Sequence, residues 1–137
     1  MSEENKAIAR RFLEETQNHK NLAIVDELIA PDFVGHTAGV RGLGELKEAI
    51  RTNLTAFPDL HVTVEDQMSE GNKVVTRFTA RGTHAGVYHG IAPTGKPVTY
   101  TVISMHIVAD GKLSEGWRVV DRLHILEQLG VTFPQQH

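Results

Sequence analysis

Cysteine is absent from the 137 residues, which removes disulfides, thiolate nucleophiles and cysteine-based zinc sites together. There is no basic excess either. Lys and Arg number 14 against 17 Asp and Glu, a formal charge of −3, so no nucleic-acid partner is expected. No apolar stretch approaches the roughly 20 residues of a membrane span, and the opening "MSEENKAIARRF" lacks the apolar core of a signal peptide. A cytoplasmic location with no membrane partner is the expectation. The eight histidines form neither an H-x-H strand pair nor H-E-x-x-H, so no metal site is expected. "GLG" (42–44) is too short for a phosphate loop and "GIAPTGK" (90–96) lacks P-loop spacing. No cofactor is expected. Repeats, low-complexity tracts and linkers are missing as well, which leaves 1–137 to be read as a single domain, long enough to bury about two thirds of its unfolded surface.

What is present changes period once along the chain. Residues 3–18 place Ile8 with Phe12 and Ala9 with Leu13 at i, i+4 spacing, with Ser2 as a cap. Asn21 caps a second short helix through Leu22, Val25 and Leu28 or Ile29, ended by Pro31. "DFVGH" (32–36) reads as a short strand and "TAGVRG" as a loop. Leu43, Leu46, Ile50, Leu54 and Phe57 then line one helical face, and Pro58 stops it. From Leu60 the period is two, with strands at about 60–69, 73–84, 97–109 and 112–123 and a turn of helix ending at Gly130. The reading is α+β: three N-terminal helices on one face of an antiparallel sheet.

Two hairpins set the expected registers. "EGN" (70–72), with Gly71 at positive φ, pairs Met68 with Val74, Val64 with Phe78 and Val62 with Ala80. "DG" (110–111) is the strong two-residue hairpin signal, and it pairs Val108 with Leu113, His106 with Glu115, Ser104 with Trp117, Val102 with Val119 and Tyr100 with Asp121. In that register Tyr100, Ser104, His106, Glu115 and Asp121 interrupt an apolar inner face. Unpaired buried polar groups cost about 1–3 kcal/mol each, so the pattern implies a cavity rather than a solid core. A β-bulge in either strand would slip the register by one residue.

Asp121 is the focus of that face. "NKAIARRFLEE", "LIAPDFVGH", "GTHAGVYHGIAPTGKPV" and "DGKLSEGWRVVDRLHILEQLG" together resemble the SnoaL-like polyketide cyclases, also called ester cyclases, over residues 4–131. The resemblance implies the cone-shaped fold of nuclear transport factor two: a strongly curved mixed, mostly antiparallel sheet wrapping three helices around a deep pocket. It implies that Asp121 is the catalytic acid/base, that His106 is its histidine partner, and that His36 lines the pocket. The activity implied is intramolecular aldol ring closure on a polycyclic polyketide ester or a similar small apolar substrate. The acidified substrate delocalises its own enolate, so one carboxylate raised in pKa by desolvation suffices for proton transfer. Tyr100, Ser104, Trp117, Phe57, Phe78, Tyr88 and His89 complete the expected substrate wall, with Tyr88 and His89 on a glycine-rich loop, 86–95, that closes the mouth.

Periodicity alone leaves competing assignments open. Asp121 sits where a strand meets a helix and is equally suited to cap it. His106 opposite Glu115 is also what a simple cross-strand pair looks like. A non-catalytic binder of small apolar ligands needs the pocket without the acid. A ketosteroid-isomerase-like enzyme would want a second inward acid, and an epoxide hydrolase an inward arginine between two aspartates; Arg77, Arg81, Arg118 and Arg122 all fall on the outer register. That outer face carries Ile103, Met105, Ile107 and Val120, flanked by Thr99, Thr101 and Arg118, and an apolar patch of this kind is expected to make a homodimer.

Overall fold

The structure, a computed structural model, describes residues 2–132. Helix α1 (Ser2–Leu13) buries Ala9, Phe12 and Leu13, the face set by i, i+4 spacing. The helix expected to continue to residue 18 instead widens into a single π turn, Glu14–Asn18. The Thr16 hydroxyl donates back to the Phe12 carbonyl at 2.7 Å, which occupies an acceptor the helix would otherwise use and loosens its pitch. The extra residue turns Asn18 onto the sheet, where its amide holds both the N–H and the C=O of Val62, at 2.7 and 3.0 Å. Ser2 meets Ser69 through their hydroxyls. The short α2 (Ile24–Leu28) starts after Ala23 with no side-chain cap; Asn21 contributes only its carbonyl, to Ile24.

Strand β1 (Ile29–Gly35) begins earlier than expected and passes through Pro31. Pro31 lies in an irregular stretch between the Ile29 and Val34 pairings, where no ladder N–H is required of it. The expected loop after it holds a two-residue strand, β2 (Val40–Arg41), before α3 (Gly42–Ala56). Four long strands follow: β3 (His61–Glu70), β4 (Lys73–Thr83), β5 (Pro97–Ala109) and β6 (Lys112–Val120); α4 (Arg122–Gln128) comes last. The sheet order is β2-β1-β6-β5-β4-β3, antiparallel except for β1 beside β6. The core packs between this sheet and α1–α3, around Phe57, Leu113, Val74 and Val102.

Both hairpins carry a bulge. Between β3 and β4 the turn pairs Glu70 with Lys73, so Met68 faces Val75 and stands 66 % exposed rather than pairing inward with Val74. An extra residue at Glu65 then restores the expected Val64–Phe78 and Val62–Ala80 pairs. At the second hairpin Asp110 and Gly111 both take positive φ, 51° and 75°, as a type I′ turn requires. Val108 pairs with Leu113 as expected, but the next pair is Ile107 with Glu115. Ser114 is the extra residue, and its hydroxyl donates to the Ile107 carbonyl at 3.2 Å. Beyond it every expected pair is shifted by one. His106 faces Gly116, Ser104 faces Arg118 and Val102 faces Val120 on the inner side; Met105–Trp117 and Ile103–Val119 lie outside.

The loop between β4 and β5 is irregular, as expected, with one isolated bridge between Tyr88 and Ile91. Its start is clamped to the end of α3, where the Ala85 and Gly86 amides donate to the Ala56 carbonyl. A Cβ at position 86 would stand 2.1 Å from the Thr55 carbonyl oxygen, so only glycine permits that approach.

Candidate functional site

The helices do not fill the cone. Between α3 and the inner faces of β1, β5 and β6 lies a small open cavity of about 140 Å³. Phe12, Phe33, Leu46, Ile50 and Phe78 supply the apolar wall. Gln17, Asn53, Ser104, His106 and Arg118 supply the polar groups.

Gly116 sets the geometry of one wall. A Cβ there would meet the His106 ring at 3.0 Å and the Phe33 ring at 3.2 Å, so its absence makes room for the imidazole. His106 is 6 % exposed, stands edge-on to Phe12 with ring centroids 5.9 Å apart, and has no hydrogen-bond partner for Nδ1. Burial, helped by the positive charge of Arg118, lowers its pKa to about 4, so the ring is neutral at physiological pH. Ser104, 4 % exposed, likewise has an unpartnered hydroxyl. Directly across from Ser104, Arg118 lies in the cavity. Its own surface is exposed while protein crowds it closely enough for desolvation to lower its pKa.

Beyond Arg118 the cone is plugged by aromatic rings. Phe57 packs against His84, Tyr88 and Tyr100 at centroid distances of 5.9, 5.2 and 6.4 Å. Burial raises the pKa of Tyr100, with Arg118 and Asn53 opposing the shift, which keeps the phenol protonated. His84 is fully buried, accepts the Thr94 amide at Nδ1, 3.2 Å, and so ties the loop to this plug.

The expected site residues therefore divide. His106, Ser104 and Phe78 border the cavity from the inner face, and Trp117, whose register position is on the outer face, also borders it. Tyr100, Phe57 and Tyr88 are buried in the plug behind it. Tyr88 is thus wall-filling and not part of the mouth. His89 is exposed on the loop, edge-on to Tyr88, its pKa lowered by partial burial and then by Arg122. His36 stacks on Trp117, centroids 4.4 Å apart, and meets the Glu115 carboxylate at 2.9 Å on the outer side of the sheet. The expected His106–Glu115 and Tyr100–Asp121 pairs do not form.

Asp121 is corrected most. It falls past the end of β6, is exposed, and accepts the His124 amide at 3.3 Å as the cap of α4. It does not border the cavity. The bulge is the reason: one extra residue moves Arg118 inward and takes the end of the strand out of the expected alternation. The outer face changes with it. Arg118 and Val120 leave that face, while Trp117 and Val119 join Ile103, Met105 and Ile107, with Val119 73 % exposed.

Periodicity also missed Arg118, Gln17 and Asn53. A signal was present for Arg118, because the unbulged register buried Glu115 and aimed four arginines outward from a face rich in unpaired polar groups. Gln17 depended on the π turn, which leaves no comparable mark in the sequence.

Comparison with known proteins places this architecture. The family model for SnoaL-like polyketide cyclase matches residues 7–129. IdmH, a putative polyketide cyclase from Streptomyces antibioticus, is 37 % identical, with 87 % of this chain and 94 % of that one covered and a TM-score of 0.76. TsrD from Streptomyces laurentii is 27 % identical over 94 % of this chain and 96 % of its own, TM-score 0.87. AclR from Streptomyces galilaeus, described as a putative hydroxylase, is 27 % identical over 95 % and 98 %, TM-score 0.84. No curated protein matches the chain.

Proposed function

The chain belongs to the SnoaL-like polyketide cyclase family, and we propose that it closes a ring by intramolecular aldol chemistry on an apolar, ring-bearing substrate, with His106 rather than Asp121 as the acid/base. The observation that carries this reading is the inner wall itself: a neutral imidazole shares it with an arginine, and no carboxylate borders the cavity among the described residues.

The substrate needs its acidified C–H deprotonated, its enolate held, and the developing alkoxide protonated. His106 accepts the carbon-bound proton, becoming imidazolium. The enolate carbon then forms the C–C bond to the carbonyl carbon, and the alkoxide so produced takes the proton back. The conjugated substrate spreads the enolate charge, and the unpartnered Ser104 hydroxyl on the same wall donates to the enolate oxygen. A pKa near 4 makes the resting imidazole a weak base, but an enolate forming beside it stabilises the imidazolium and raises that value. The apolar wall of Phe12, Phe33 and Phe78 holds the two reacting ends together.

An isomerase with a second inward acid, or a hydrolase with an arginine between aspartates, has less support. Arg118 does face inward, but among the described residues no Asp or Glu accompanies it there.

The test is ring closure of an anthraquinone bearing a β-ketoacyl side chain, followed by chromatography. His106→Gln is expected to lose turnover by on the order of 10²–10⁴-fold, and Asp121→Asn, which still caps α4, to stay near the wild-type rate. The opposite pattern would move the acid/base back to Asp121. Self-association belongs to the same proposal, since Ile103, Trp117 and Val119 form an apolar band on the outer face. Sedimentation at micromolar concentration should show a dimer, and a monomer there would remove that element.

A further inference from the structure

We propose that the ligand of this cavity carries a permanent carboxylate at one end of an apolar body, and that Arg118 is the residue that selects it. The inference rests on the reading of the cavity as the substrate site and names the chemical class it admits.

Arg118 is the only charged residue among those bordering the cavity in the described structure. Among the described residues its guanidinium has no ion pair and no hydrogen bond, while its backbone amide donates to the Thr37 hydroxyl at 2.9 Å. The carboxylates nearest in sequence are committed elsewhere. Glu115 is turned to the outer face and holds His36, and Asp121 caps α4. The groups that act on its charge are the phenols of Tyr100 and Tyr88 and then the Arg122 guanidinium, none of which is a carboxylate. The other polar groups on this wall, Ser104 and His106, are neutral and have unpartnered atoms.

An empty cavity leaves this guanidinium to water. A ligand that fills the apolar space displaces that water, and a neutral one leaves a desolvated cation with nothing to balance it. A ligand bringing a carboxylate replaces the lost hydration with a charge-assisted pair, bidentate where the geometry allows, because the planar guanidinium fork matches a carboxylate. An ester offers only a carbonyl acceptor at the same place. The chemistry of the wall therefore favours a free acid over its ester.

Calorimetric titration of the whole protein at pH 7.5 with 2-naphthoate, methyl 2-naphthoate and 2-naphthamide tests this without turnover. The three probes share one apolar body and differ in charge. The acid is expected to bind about 10- to 100-fold more tightly than either neutral probe, the range of a hydrogen bond to a charged group. Arg118→Met keeps the length of the stem and removes the charge; there the acid should lose its advantage while the neutral probes bind at least as well as before. His106→Gln should keep the preference, so failure of the acid/base reading and failure of this one separate cleanly. Equal binding of the three probes to the wild type, no binding by any of them, or a preference that survives in Arg118→Met would each overturn the proposal. The wild-type comparison stands by itself if Arg118→Met does not fold.

Discussion

The inner face of β3–β4 and the inner face of β5–β6 are built from the same alternation and end in opposite states. On β3–β4 the polar groups are satisfied. Thr76, fully buried, accepts from Gln67 at 3.1 Å, Gln67 also donates to the Lys6 carbonyl, and Asn18 closes both backbone groups of Val62. On β5–β6, among the described residues, the Ser104 hydroxyl and His106 Nδ1 stay unpartnered and the Arg118 guanidinium stays unpaired. The first face does what a core does, since buried polar groups are normally hydrogen-bonded. The second retains a cost that packing alone would have removed, and its unpartnered groups border the cavity, which meets the first face only at the apolar Phe78. The difference teaches that a site shows where unpartnered buried polar atoms gather beside open space; His84 Nε2, unpartnered in the plug, does not border the cavity.

The largest effect expected from that contrast is a pH dependence. His106 titrates near pH 4 in the folded protein and near 6.5 when free. Between those values the unfolded chain binds the extra proton, so protons favour unfolding. The stability linked to His106 is complete above pH 6.5, falls as pH drops towards 4, and is level below it, by roughly 3 kcal/mol in all at about 1.4 kcal/mol per pKa unit. Stability by denaturation of wild type and His106→Gln, measured from pH 7 to 4, should shift against the wild type by that amount, because the slope is absent from the variant. Parallel curves would place His106 in a far more solvated setting.

A smaller pair of effects sharpens the comparison directly. Thr76→Val removes an acceptor that Gln67 uses and is expected to cost about 1 kcal/mol. Ser104→Ala removes a hydroxyl that bonds to nothing and is expected to cost close to nothing, or to stabilise slightly. Chemical denaturation of the two variants side by side reads the difference, and equal losses would mean that the two faces are not distinct in the way the hydrogen bonds indicate.

Much of this was legible from residue order. Helix faces follow from Phe12, Leu13 and Ile50 at helical spacing, and the Asp110–Gly111 turn was readable because two adjacent positive φ angles need residues that tolerate them. His106 and Ser104 were placed on the inner face correctly, since β5 runs without a bulge against β4. β6 was not readable in the same way. The positions of Arg118, Trp117 and Asp121 all changed with a single inserted residue, Ser114.

Local preference settled where the helices, strands and turns lie, because spacing and turn chemistry act over a few neighbouring residues. Which face of β6 looks into the cone was settled by contacts far apart in sequence. Gly116 has to pass beneath His106 and beside Phe33, where a Cβ has no room. Glu115 has to reach His36 on the other side of the sheet. The bulge at Ser114 satisfies both, and its hydroxyl bond to Ile107 holds it there. Alternation of period two is blind to such a slip, since shifting a strand by one residue leaves its pattern intact and exchanges its faces.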